Sequence, residues 1–273
     1  MRFVTVEITP SRKVHFMECG YELVGEVAVL TLRRPSRYNA ITLPMARELT
    51  RAIRRAGTEA RAAVITGEGR AFCAGADLMR LTKEIEGDED LETILHSHFH
   101  PLINALWESD IPTLAAINGP AAGAGMGIAL CCDLRVMDPE SYFMSAFIHL
   151  GLTPDSGTAW VLPRMVGLGR AMEIVMSGRK VSAQESFDIG LCNKVSASGQ
   201  ALAQALEWAE RLCDGPTSAY GANRRLLYET AALGFAEGLA AEAVSQGRLG
   251  ETALFGKGVA AFREKRKADF RSL

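Results

Sequence analysis

The run VAVLTL (27–32) is apolar or β-branched almost throughout, and too short for a stable helix. It reads as a buried strand. From Thr42 the period changes. In TLPMARELTRAIRRAG (42–57), Met45, Leu49, Ala52, Ile53 and Ala56 share one face of a 3.6-residue helix, with Thr42 placed to cap its start and Gly57 to end it. Strand patterns return in AAVITG (62–67), PTLAAI (112–117) and DLRVM (133–137), with a small-residue helix over 123–132. After Asp77 the chain turns helical and charged, and the acidic EGDED (86–90) reads as a solvated loop. Strand–helix alternation of this kind means an α/β fold. From about residue 200 only helical patterns remain, in ALAQALEWAERLC, SAYGANRRLLYETAAL and VAAFREKRKADF. The expected division is an α/β core over 1–196 and a C-terminal helical region over 197–273 that serves assembly.

The stretch from Ile111 to Cys132 carries no charge and is long enough to suggest a membrane span. Pro112, Pro120, the Asn118–Gly119 pair and three further glycines break it into strand, turn and helix instead. A net charge of −2 among 273 residues gives no basic field for nucleic acid. The N-terminal MRFVTVEITPS lacks the form of a signal peptide. The six cysteines show no CxxC spacing and sit mostly in apolar context, which points to reduced packing residues of a cytoplasmic protein without structural zinc. His96, His98 and His100 would suit a metal only if they shared a face. On a helix only the i, i+4 pair does, and a polar helix is the expectation.

Two stretches, CAGADL (73–78) and GPAAGAGMGIALCCD (119–133), are nearly bare of side chains. Each follows a strand and precedes a helix. Bare backbone lets a ligand approach main-chain N–H groups closely. Two such groups converging on one oxygen would form an oxyanion hole, with a helix dipole behind them. Neither GxGxxG nor GxxxxGK[ST] is present, so a dinucleotide or P-loop reading has no support.

RPSRYNAI (34–41), FCAGADL (72–78), AAINGPAAGAGMGIALCCD (115–133), LGLTPDSGTAWVLPRMVG (150–167), GRKVSAQESFDIGLCNKV (178–195) and AFREKRKADF (261–270) occur in order. Together they resemble the crotonase superfamily, the enoyl-CoA hydratases and isomerases, over about residues 20–270. The resemblance implies a spiral of ββα units with a C-terminal helical region, assembled as trimers or pairs of trimers. It implies a CoA thioester as substrate, with no separate cofactor and no metal. The two N–H donors to the thioester oxygen map onto Ala74 and Ala124, and Ala76 is expected among the substrate contacts.

The hydratase members use two glutamates around one water. The resemblance puts those positions at Gly127 and Phe147, neither of which can transfer a proton. Phe147 is expected to line a drier acyl pocket. One carboxylate remains, Asp155 in GLTPDSGT, where some isomerases of the superfamily hold their acid–base group and its dehalogenases a nucleophile. Its alternative role is to cap a helix beginning near Ser156. Asp77 is expected to cap the next helix or to touch substrate, and His149 to be a satisfied core histidine. Arg37, with Ser36 beside it, Phe262 and Lys265 are the expected CoA contacts, the last two from a neighbouring subunit. The leading expectation is double-bond isomerisation. Hydration or lysis by unusual groups, attack by Asp155 as nucleophile, and acyl-CoA binding without catalysis are the alternatives.

Overall fold

The computed structural model describes residues 13–15, 17–86 and 90–272; residues 1–12, with the N-terminal segment assessed above, and 87–89 of the acidic patch lie outside them. Strands β1 (Lys13–His15), β2 (Cys19–Val24) and β3 (Val27–Leu32) form an antiparallel meander. Helix α1 (Leu43–Glu59) follows, started by Thr42, whose hydroxyl accepts from Met45 N–H at 3.1 Å. The five residues expected on its inner face are all buried. Gly57 does not end it: the helix continues to Glu59, and Ala60 N–H donates to Ala56 C=O. An exposed glycine costs a helix about 1 kcal/mol, too little to stop one held by a packed face.

Strand β4 (Ala62–Gly67), α2 (Leu78–Glu86), α3 (Leu91–Ile94), α4 (His100–Glu108), β5 (Thr113–Ile117), β6 (Ala121–Ala122), α5 (Ala124–Cys131), β7 (Leu134–Met137) and β8 (Tyr142–Met144) come next. They are followed by α6 (Thr158–Val166), α7 (Leu168–Ser177), β9 (Lys180–Ser182), α8 (Ala183–Asp188) and β10 (Lys194–Val195). The uncharged stretch from Ile111 to Cys132 is therefore strand, turn and helix, and no described helix is long and apolar enough to cross a membrane. The main sheet has the order β1-β2-β3-β4-β5-β7-β10 and is parallel from β3 onward; β6-β8-β9 form a small second sheet.

Both faces of the parallel part are covered, which is why its strands read as continuous apolar runs. Ala28, Leu30, Ala63, Ile65, Ala115 and Ile117 face the main core. Their neighbours Val27, Ala62, Val64, Leu114 and Ala116 face the opposite way. There α9 (Ala201–Cys213) covers them with Ala201, Ala205, Ala209 and Cys213. These are small residues four apart, so the helix lies close on the sheet. Helices α10 (Thr217–Thr230), α11 (Phe235–Gly250) and α12 (Ala253–Arg263) complete the chain. Arg224 of α10 ties this region to the core, donating to Asp133 Oδ1 at 2.6 Å and to the carbonyls of Ser109 and Ile111.

Candidate active site

The two bare stretches pack backbone against backbone. Phe72 and Cys73 N–H both donate to Pro120 C=O, and Ala122 N–H donates to Cys73 C=O at 2.9 Å. A Cβ on Gly125 would lie 2.4 Å from Cys73 O, so side chains are excluded by contact between the turns themselves. Gly75 holds φ +98°, a conformation L side chains rarely adopt, and a Cβ there would lie 3.5 Å from Ala124 N. This brings the start of α5 against the 73–76 segment.

Which amides are free corrects the expectation at one position. Ala74 N–H donates to Tyr38 C=O at 2.9 Å, so Ala74 has no donor to offer a ligand. On the next residues, Ile41 N–H donates to Gly75 C=O and Asp77 N–H to Ile41 C=O. Extended backbone alternates its polar groups, so Ala76 N–H faces away from Ile41. That is the side on which Ala121 pairs with Cys73. Ala76 N–H has no acceptor among the described residues. Ala124 is the first residue of α5, where an N–H has no intrahelical partner. The free pair is therefore Ala76 and Ala124, and both line one cavity of about 480 Å³.

Helix α5 is finished at its other end by Arg135, a buried guanidinium donating to Cys132 C=O at 2.6 Å and Leu191 C=O at 2.8 Å, with Leu130 C=O at 3.3 Å. A cation at the C-terminus satisfies the last carbonyls and leaves the positive N-terminal end at the cavity.

Asp155 lines the same cavity, and it is not a helix cap. Helix α6 starts at Thr158 after Gly157, with no side-chain cap. Thr158 N–H takes the main-chain carbonyl of Asp155 instead, at 2.9 Å. The delay comes from Ser156, whose φ of +49° breaks the helical path. Ser156 Oγ donates to Asp155 Oδ1 at 2.7 Å. Burial pushes the Asp155 carboxyl above its usual value, against the pull of the Ser156 hydrogen bond and of His100.

Gly127 is where this loop rests on α5. A Cβ there would meet Ser156 O at 2.4 Å, Thr158 Oγ1 at 2.8 Å and Ser156 Cβ at 2.9 Å. A larger residue would displace the turn that carries Asp155. Phe147 is buried, and its ring tip lies about 4.0 Å from where a Cβ on Gly123 would be, at the cavity end beside Ala124. Leu81, Ile94, Leu95 and Phe99 make the opposite wall apolar.

The remaining expected residues divide. Asp77 lies outside this cavity: its carboxylate pairs with Arg34 at 2.7 Å and accepts from Arg80 N–H at 3.3 Å, so it caps α2. Burial raises its pKa, but the Arg34 hydrogen bond and charge outweigh this and hold it below the usual value. His149 is not a core histidine: it is exposed in a short 3-10 turn, with its Nε2 3.1 Å from Gly178 O. Arg37 and Ser36 are exposed, and neither lines the cavity. Phe262 is 85% exposed and lines a separate apolar groove formed by α10, α11 and α12. Lys265 is exposed just beyond α12. One chain thus does not bring Phe262 or Lys265 to the cavity. No group of histidines, cysteines and carboxylates among the described residues could hold a metal. All six cysteines are free thiols. Burial pushes Cys19, Cys73 and Cys131 up to about 12, which suits packing rather than chemistry.

Two cavity residues were passed over in the sequence, His96 and His100. The i, i+4 spacing was the signal, and it places both rings on one wall. His98 turns the other way, its Nδ1 3.4 Å from Arg47 Nη1.

The chain as a whole is similar to known proteins. The family model for enoyl-CoA hydratase/isomerase matches residues 22–272. The chain is 40% identical over 250 residues to a "probable enoyl-CoA hydratase" of Rhodobacter capsulatus, covering 92% of this chain and 96% of that one. It is 34% identical over 209 residues to 4-chlorobenzoyl coenzyme A dehalogenase-2 of an Arthrobacter species, covering 74% and 75%. The crystal structure of an enoyl-CoA hydratase from Polaromonas sp. JS666 superposes with a TM-score of 0.82 at 32% identity, over 95% of this chain and 98% of that one. With a model match across nearly the whole chain and the crotonase-type α/β fold in common, this chain belongs to the enoyl-CoA hydratase/isomerase family.

Proposed function

We propose that the protein moves a carbon–carbon double bond in an enoyl-CoA thioester, with Asp155 carrying the proton. The observation that supports this most directly is the carboxylate inventory of the cavity. Only Asp155 and Glu92 line it among the described residues, and the Glu92 side chain is 86% exposed. In the hydratase pattern two carboxylates hold one water, and here those positions are Gly127 and Phe147. The first is closed to any side chain by the Ser156 turn, and the second presents an apolar ring.

The thioester oxygen accepts from Ala76 N–H and Ala124 N–H. The Asp155 carboxylate removes a proton from the carbon next to the thioester of a 3-enoyl-CoA. Charge builds on the oxygen as a dienolate forms, and the two amides and the α5 dipole stabilise it. One such donor is worth ~3 kcal/mol of barrier. Asp155, now a carboxylic acid, returns a proton two carbons further along, which leaves the double bond conjugated with the carbonyl. A pKa raised by burial suits a group that must both take and give a proton. No cofactor enters this scheme. Assembly as a trimer or a pair of trimers would bring the exposed Phe262 and Lys265 of one chain to the CoA of another, with Arg37 as a further phosphate contact. A cytoplasmic setting fits six reduced cysteines.

The test is conjugation of 3-enoyl-CoA, followed by absorbance, with wild type and Asp155→Asn. Loss of a general acid–base group should lower the rate by about 10²-fold or more. Equal rates remove Asp155 from the reaction.

A second reading makes Asp155 a nucleophile. It is supported by the imidazole of His100 on the same cavity wall and by the similarity to a relative named as a dehalogenase. It predicts a covalent adduct on Asp155, visible as a mass increase on rapid quench with a halogenated aryl-CoA.

A further inference from the structure

The helix that carries His96 and His100 is not regular. Residues Leu95–Phe99, between α3 and α4, form a π-turn, and His100 N–H reaches back to Leu95 C=O. Such widened turns are costly and collect at functional sites. Here the two imidazoles stand edge to face with centroids 4.7 Å apart, and their Nδ1 atoms are 3.3 Å apart. That contact is a hydrogen bond only when one Nδ1 carries a proton and the other does not. The pair is built to share one proton.

The pair also has two ends. Outward, His96 is exposed, and its Nε2 lies 3.9 Å from Oε1 of the exposed Glu92. Inward, His100 is half-buried and lines the cavity together with Asp155, whose ionisation it influences. Among the described residues, Arg47 on α1 reaches His98 rather than the pair. The facing side chains of α2 on the cavity wall, Leu78 and Leu81, are apolar. Ser156 Oγ, the hydrogen-bond partner of Asp155, donates to it and gives no path to bulk water.

We infer that His96 and His100 form a proton relay between solvent and Asp155. This rests on Asp155 being the proton carrier proposed above. His96 takes a proton at Nε2 from solvent, with Glu92 at the mouth, and passes its Nδ1 proton to Nδ1 of His100. His100 releases a proton from Nε2 to the Asp155 carboxylate through a water in the cavity that both line. One proton has moved inward, and each ring is left as its other tautomer; a flip of each ring, with exchange of its N–H, restores the first tautomers, whereas the same hops in reverse would only carry the proton back out. With an acyl chain filling the apolar cavity, this path lets Asp155 exchange its proton while bulk water is excluded. The proton delivered to the product then comes in part from solvent.

Two measurements test this. The first needs no substrate: the tautomers of the histidine rings are read by NMR of their ring nitrogens in wild type and His96→Gln. The relay predicts that one Nδ1 of the pair carries a proton and the other accepts it, a state that His96→Gln abolishes. Two Nδ1 atoms both protonated or both bare in wild type overturn the relay. The second is turnover of 3-enoyl-CoA in D2O. Deuterium in the product per turnover should fall at least about fivefold in His96→Gln and in His100→Gln, a ratio that a purely structural defect would not move. An unchanged ratio, or wild-type product free of solvent deuterium, overturns the relay while leaving Asp155 as an internal shuttle. Wild-type rates in Asp155→Asn would instead sink the proposed function, and the ring-nitrogen NMR would still decide the proton sharing of the pair.

Discussion

Replacing Gly127 by alanine tests the link between packing and chemistry at this site. In an open helix the change is favourable, by about 1 kcal/mol of propensity. Here the new Cβ would stand 2.4 Å from Ser156 O, 2.8 Å from Thr158 Oγ1 and 2.9 Å from Ser156 Cβ. Two of these atoms belong to the fixed part of the 156–158 turn and cannot rotate aside. Overpacking of this kind costs roughly 1–3 kcal/mol, and contact with backbone places it near the top of that range. The net expectation is a loss of about 1–2 kcal/mol. At about 2–4 °C per kcal/mol for a chain of this size, the melting temperature should fall by about 2–8 °C. Because the turn that must yield carries Asp155, the conjugation rate should fall as well, by more than the loss of folded protein explains. The assay is a thermal melt beside 3-enoyl-CoA turnover at a temperature where both proteins are folded. A variant that melts at or above wild type would refute the argument that Ser156 closes this position. It would also reopen position 127 to a catalytic side chain.

Two further outcomes follow from groups already described. Burial raises the Asp155 pKa, so the folded state keeps its proton where the unfolded chain, with a pKa near ~4, has lost it. The contribution of Asp155 to stability therefore declines as pH rises from about 4 through the folded value. Asp155→Asn escapes this and should melt higher than wild type at pH 7 but not at pH 3; a difference independent of pH would contradict it. Arg135→Met removes the donor from Leu130 and Cys132 C=O at the end of α5 and from Leu191 C=O, and each stranded buried acceptor costs about 1–3 kcal/mol. A loss of roughly 3 kcal/mol or more is expected in urea unfolding, and an unchanged midpoint would show that those carbonyls are satisfied otherwise.

Period and composition alone specified the elements at the centre of this protein. The apolar runs at 27–32, 62–67 and 113–117 are strands, the face from Met45 to Ala56 is buried, and the two bare stretches meet at a cavity. These are local properties: a strand buried on both faces must be apolar throughout, and a turn packed on another turn has no room for side chains. The ordered motifs carried the family for the same reason. What the sequence could not decide was which amide in CAGADL is free. That depends on Tyr38 and Ile41, which lie more than thirty residues away and take up the N–H of Ala74 and Asp77, so that the donor moved from Ala74 to Ala76. Nor could it show that Asp155 is spared from capping, since a single positive φ at Ser156 delays α6. The histidine pair, too, needed the π-turn before its spacing meant anything. A hydrogen-bond donor is free or used according to what distant segments bring to it, and only the tertiary structure holds that information.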